Sequence, residues 1–221
     1  DLPYSTQLIP LAVLCTLLKK EKKTSVIKDK IKKWYWCGVL GELYGGANET
    51  RYVNDVVGVM EWVNNNSDEP KTIKEAYFNP LRLLGLQSRL SAAYKGIMAL
   101  ILKNGCKDLI SGSDMDFTVY NQDSIDIHHI FPQDYCIKKG YSKIKWNSII
   151  NKTPITYSTN REIGGVAPSQ YLNKIETKKK VTHDDLNIYL ESHLINTDFI
   201  RSDDFDKYFL DRASRLLDII G

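Results

Sequence analysis

Two short segments in the second half of the chain constrain its fold more than any other feature. The first, Asp126-Ile127-His128-His129-Ile130-Phe131-Pro132, reads as a short strand that carries adjacent histidines and is stopped by a proline. Successive strand residues point to opposite faces, but the pleat relaxes at a strand end. One imidazole is then free to take a metal while its neighbour faces a substrate. Histidine suits both roles because its ordinary pKa is about 6.5. The second segment, Asn151-Lys152-Thr153-Pro154-Ile155-Thr156-Tyr157-Ser158-Thr159-Asn160-Arg161, reads as another strand running into a helix start, with Ser158 or Thr159 as the cap. Strand, strand, helix is the expected local order.

Helical spacing dominates the chain before these segments. Apolar residues recur at helical intervals over Thr6 to Lys20, Val26 to Leu43, Tyr52 to Val63, Ile73 to Tyr77 and Arg89 to Leu102. A loop is expected across Asn64, Asn65, Asn66, Ser67, Asp68, Glu69 and Pro70, and Asn104 with Gly105 closes the last helix. From Gly112 the pattern changes to strand-compatible pieces, Phe117 to Tyr120 and Ser124 to His128. Gly164 and Gly165 precede Pro168, which suits the first turn of a helix running to about Ile175, and two more helices are expected after Asp184 and Asp203. The expected fold is α+β, predominantly α-helical, with a helical region over 1–110 and a strand-containing region over 111–221, packed as one unit.

Composition narrows the function. Hydrophobic residues at 43% and charged residues at 26% mark a globular chain with a real core. The formal charge of +3 is too small to imply a nucleic-acid partner, so the distribution of charge matters more. Lysines cluster at Lys19, Lys20, Lys22 and Lys23, at Lys28, Lys30, Lys32 and Lys33, and at Lys178, Lys179 and Lys180, patterns that a solvated helix face also explains. Cys15, Cys37, Cys106 and Cys136 are scattered, which fits a reduced, cytoplasmic protein and gives neither a zinc knuckle nor the cysteine cluster of a closed metal scaffold. The apolar run Leu8 to Leu18 is shorter than the roughly 20 residues of a membrane span and reads as a core helix. There is no G-x-S-x-G and no H-E-x-x-H, which sets aside a serine hydrolase and a zincin protease. A start at Asp1 suggests a piece of a longer polypeptide.

The histidine pair and the interval from Asn151 to Asn160 resemble the ββα-metal, or HNH, motif of nucleases. A wider resemblance rests on Leu2-Pro3-Tyr4-Ser5-Thr6-Gln7, Trp34-Tyr35-Trp36-Cys37-Gly38, Gly41-Glu42-Leu43-Tyr44-Gly45-Gly46-Ala47 and Ser91-Ala92-Ala93-Tyr94-Lys95-Gly96. Together these segments are similar to the C-terminal region of GmrSD-type, SspE-like restriction and phage-defence proteins. That resemblance implies a metal-dependent endonuclease acting on DNA, phage DNA above all, with a ParB-like nucleotide-binding domain upstream in the same polypeptide and no membrane partner.

The resemblance implies roles for particular residues. His128 and Asn160 would hold one Mg²⁺, with Mn²⁺ or another divalent ion as a substitute; an imidazole and an amide are a sparse set, so phosphate and water must complete the shell. Zn²⁺ would bind as well. His129 would be the general base, Asn151 would orient it through an amide bond or by fixing its backbone, and Asp126 would support an imidazole. Arg161, Lys152, Lys95 and Arg89 would meet phosphates, with Lys178 to Lys180 as further contacts. Asn147 reads as a turn residue, and His183 and His193 as structural. Trp34, Tyr35, Trp36, Tyr44 and Tyr52 read as core, although such aromatics can also stack on bases. One site per chain cuts one strand at a time, which favours nicking unless the chain forms a homo-oligomer. The competing expectation is a catalytically silent module that docks DNA without cutting it.

Overall fold

A computed structural model describes residues 2–18, 24–46, 48–65, 68–115 and 125–221. Lys19, Lys20, Lys22, Lys23, Ala47, Asn66, Ser67, Ser124 and the strand expected over 117–120 lie outside the described residues. Within them the order is α1 (Leu8–Leu17), α2 (Ser25–Leu40), α3 (Glu49–Asn65), α4 (Lys71–Glu75), α5 (Arg82–Gly85), α6 (Ala92–Lys103) and β1 (Ile125–His129). There follow α7 (Gln133–Lys138), α8 (Lys143–Trp146), a 3-10 turn (Ile149–Asn151), β2 (Lys152–Thr156) and α9 (Tyr157–Ile163). The chain ends with α10 (Pro168–Lys179), α11 (His183–Ser192), α12 (Thr197–Arg201) and α13 (Phe205–Ile220). It is mostly helical with one small antiparallel sheet, an α+β fold as the patterning indicated. No described helix is long and apolar enough to cross a membrane.

The chain divides into two compact units, 1–79 with 88–96, and 80–87 with 97–221. Residues 92–96 of α6 fall in the first unit and the rest of that helix in the second, which the short α5 segment also joins. In the first unit Leu14, Trp34, Tyr44, Val59, Trp62 and Ile73 form the core, with Tyr35 and Tyr52 half-buried against it. The aromatic group is thus largely packing. Of α1, Pro10 and Leu14 are buried, whereas Leu8, Ile9, Val13 and Leu17 are exposed, so this helix buries one stripe and is not the all-round core helix its composition suggested.

In the second unit β1 and β2 pair antiparallel, with His128 opposite Thr153 and His129 opposite Lys152. The sequence reading missed the two helices between the strands, α7 and α8. Both are short, and helices of one or two turns carry too little periodicity to register. Pro132 precedes α7 rather than only ending a strand, and Pro168 occupies the first turn of α10 as expected. The end of the chain carries α11, α12 and α13 where two helices were expected; α12 is only five residues long.

The second unit is clamped around the strands by buried polar groups. Arg212 of α13 is fully buried and donates to the carbonyls of Ile150, Lys152 (2.8 Å) and His193 (3.3 Å). Tyr208 donates to Ile150 O at 3.0 Å and Tyr171 of α10 donates to Ile130 O at 2.9 Å. Carbonyls of an irregular buried turn need donors, and these side chains supply them.

Candidate functional site

The helix start after β2 is set by Thr156, whose Oγ1 accepts from Thr159 N at 3.3 Å. Ser158 and Thr159, the expected caps, therefore sit inside α9. Asp108 secures this corner: Oδ2 accepts from Thr156 Oγ1 (2.7 Å) and Thr156 N (3.2 Å), and Oδ1 accepts from Thr159 Oγ1 (2.8 Å), Ser111 N (3.0 Å) and Ile110 N (3.1 Å). Burial opposes ionisation of Asp108, but the bonds from Ser111, Thr156 and Thr159 outweigh it and hold its pKa below the ordinary value. The carboxylate therefore stabilises the fold above the pKa it has when unfolded, about 3.9, and that stabilisation is lost as pH falls through the lower folded value. Asp108→Asn is expected to cost about 1–3 kcal/mol at neutral pH, because an amide must turn a donor toward donors. Urea unfolding should show the gap to wild type closing below about pH 4; a gap that is independent of pH would contradict this assignment.

With α9 fixed, Asn160 on its second turn meets β1. Asn160 Nδ2 donates to Asp126 Oδ2 at 2.6 Å. A carboxylate only accepts, so Asp126 fixes the amide and turns Oδ1 to His128, whose Nδ1 is 2.8 Å away. His128 is 5% exposed and lies edge-on to Tyr171, with ring centroids 6.0 Å apart. Its Nε2 is buried without a protein partner, so the ring is tied to the protein through Nδ1 alone. Burial pushes the His128 pKa down to about 4, which keeps the imidazole neutral, the form in which a nitrogen lone pair can meet a cation.

His129 lies half-buried beside Trp146, and its Nε2 is 3.2 Å from Asn147 Oδ1. Asn147 Nδ2 donates to Gln87 Oε1 at 3.4 Å, which keeps the amide oxygen toward the imidazole. His129 then carries its proton on Nε2 and leaves Nδ1 as the basic nitrogen. Burial lowers its pKa, with a further push from Lys152, against the opposing bond to Asn147. Asn147 was set aside in the sequence because its distance from Asn160 did not suit a motif; its role depends on α8, which the sequence did not show.

Asn151 is fully buried. Its Oδ1 accepts from Phe131 N, and its Nδ2 donates to Phe131 O and Trp146 O, each at 2.9 Å. Of the two ways it could act on His129, the structure shows the second, fixing the backbone just beyond the histidine. A cleft of about 370 Å³ opens here, lined by Ile127, His128, His129, Asn160 and the Gly164-Gly165 turn on one side and by Pro132, Gln133 and Asp134 on the other. Gly164 has φ 68° and ψ −161°, a conformation that only glycine adopts readily.

Because Asn160 Oδ1 only accepts, His128 Nδ1 donates to it here, and a divalent ion held by both atoms would have to displace that proton. Two adjacent ligands of an octahedral ion with bonds of about 2.0–2.1 Å lie roughly 3 Å apart, close to the 2.8 Å between Nδ1 and Oδ1, so the spacing fits once the proton has left. Among the described residues there is no group of three or more His, Cys, Asp and Glu that could hold a metal, so water and substrate oxygens would have to supply most of the shell.

The expected phosphate contacts separate. Arg161 is exposed on α9, its guanidinium 5.7 Å over the Tyr157 ring. Lys152 is not a surface contact: it is 6% exposed and donates to Gln87 O at 2.6 Å, since β2 runs through the interior. Lys95 and Arg89 belong to the first unit, where Lys95 donates to Leu2 O at 3.2 Å and Arg89 precedes α6 rather than sharing its face. Lys179 is paired with Glu162 at 3.1 Å. His193 is structural as expected, held by Thr153 Oγ1 (2.7 Å) and Lys107 O (2.6 Å), and exposed His183 lies 3.1 Å from Glu176.

No family model matches the chain, and no solved structure matches it. It is similar to an uncharacterized protein of Methanocaldococcus jannaschii, 33% identical over an alignment of 184 residues that covers 76% of this chain. The match spans 30% of that relative's length.

Proposed function

We propose that this chain is a metal-dependent HNH endonuclease that nicks or cleaves DNA. The observation that carries this reading is the meeting of His128 Nδ1 and Asn160 Oδ1, 2.8 Å apart, in a cleft that His129 also lines. The antiparallel pairing of β1 with β2 and the helix α9 that directly follows β2 support it.

In this reading His128 and Asn160 would hold a divalent ion in place of the proton that now links Nδ1 to Oδ1, and Asp126 keeps the amide oxygen turned toward the imidazole. Bound Mg²⁺ or Mn²⁺ would offset the negative charge that builds on the phosphate and on the leaving oxygen. Asn147 holds the Nε2 proton of His129, so Nδ1 accepts a proton from water as the water oxygen bonds to phosphorus and the bond from phosphorus to the leaving oxygen breaks. Asn151 fixes the turn that carries His129, and Arg161 meets a flanking phosphate. As part of a longer protein the chain would serve as the effector of a bacterial anti-phage restriction system, behind a ParB-like nucleotide-binding domain; that wider role rests on the sequence resemblance.

Supercoiled plasmid incubated with the chain in Mg²⁺, Mn²⁺ or EDTA tests the reading. Nicking that requires the metal and falls by about 10²-fold or more in Asn160→Ala is the expected result. Binding of DNA without cutting in any metal would replace it with a docking module.

A further inference from the structure

A second cleft of about 400 Å³ adjoins the candidate cleft at Gly165, which lines both, and is lined by Tyr135, Lys138, Lys139, Val166, Ala167, Gln170 and Asp203. Helix α7 borders both clefts, with Gln133 and Asp134 on the first and Tyr135 and Lys138 on the second. Gly165 and Asp134 approach closely at this boundary: a Cβ on Gly165 would lie 3.1 Å from Asp134 Oδ2, so a larger residue would crowd it.

Lys138 and Lys139 are exposed, and among the described residues neither forms an ion pair, although Lys139 lies 5.7 Å over the Tyr135 ring. Elsewhere in this unit Lys145 pairs with Asp206, and Lys174 and Lys179 share the carboxylate of Glu162. The acid in this lining, Asp203, has both oxygens taken by Ser169 N (2.9 Å) and Ser169 Oγ (2.6 Å). Two unneutralised ammonium groups beside a half-buried tyrosine suit a polyanion with regularly spaced charge.

We infer that this second cleft is the track for the sugar-phosphate backbone flanking the bond to be cut, with Lys138 and Lys139 each meeting a phosphate. The inference rests on the nuclease reading and names the residues that hold the strand. It has a readout that needs no cleavage: fluorescence anisotropy of a short labelled DNA strand, in EDTA, across about 50–200 mM salt. Lys138→Ala/Lys139→Ala should bind about tenfold or more weakly at the low-salt end. The slope of log affinity against log salt should become shallower by about 1.4, or about 0.7 for each phosphate that a lysine no longer neutralises on a single strand. Lys103→Ala/Lys143→Ala removes the same charge from exposed residues that line neither cleft and should leave the slope near that of wild type.

An unchanged slope in the Lys138/Lys139 variant, or an equal loss in the Lys103/Lys143 variant, overturns the track. Failure of the wild-type chain to bind DNA at all would instead remove the nuclease reading on which the track depends.

Discussion

His129→Ala is expected to lower metal-dependent nicking by about 10²- to 10⁴-fold, the range that a positioned base contributes. The ring is only half-buried and its one polar tie is to Asn147, so the variant should stay folded and keep its affinity for DNA. The loss should therefore fall on the rate and not on binding. Burial already holds the His129 pKa below the ordinary value, so wild type has its base free at neutral pH. Its nicking rate should rise as pH climbs through that lowered pKa and level off below about 6.5. Asn147→Ala should show a smaller loss than His129→Ala, because it frees the ring without deleting it. Initial rates of plasmid nicking across the acid range, with anisotropy run in parallel, check each point. A His129→Ala chain that nicks at the wild-type rate would remove the base from the mechanism.

What the sequence disclosed about this site follows from how each residue acts. His128, His129 and Asn160 stand on β1 and α9, close to each other in the fold, and line one cleft, so the resemblance carried by the two short segments was enough to bring them together. Asn147, Gln87 and Asp108 act from segments whose placement depends on tertiary packing. Asn147 reaches His129 because α8 delivers it, and four residues of helix leave no periodic trace. Asp108 is separated from Thr156 by 48 positions, and nothing local to it signals that a strand end will need its oxygens. Lys152 shows the opposite failure. Beside Asn151 it looked like a phosphate contact, but its strand is buried throughout and its ammonium donates to Gln87 O instead. The apolar run of α1 misled for a related reason: composition reports how much of a helix could be buried, while only packing decides which stripe is.

The largest effect on stability is expected at Asn151. Removing its amide in Asn151→Ala strands the N–H of Phe131 and the carbonyl of Trp146 in a fully buried position and leaves the Phe131 carbonyl only the weak donor of the Cys136 thiol. Each unsatisfied buried group costs about 1–3 kcal/mol, so a loss of about 3 kcal/mol or more is expected, against a total stability of roughly 5–15 kcal/mol for a folded protein. Asn151→Asp should be nearly as damaging, since a carboxylate cannot donate to Phe131 O and Trp146 O and sets a buried anion against both. Asn151→Gln keeps the groups but lengthens the side chain into a packed site, and should recover little. Urea unfolding followed by circular dichroism measures all three. The amide ties the turn after β1 to the end of α8, and these two segments carry His129 and its partner Asn147. Stability and base placement are thus held by the same three hydrogen bonds. A fall in nicking by Asn151→Ala that persists at temperatures where the variant is fully folded would show that the turn positions the base as well as stabilising the fold. An Asn151→Ala chain with a stability loss below about 1 kcal/mol would mean that the amide bonds contribute no more than ordinary exposed ones.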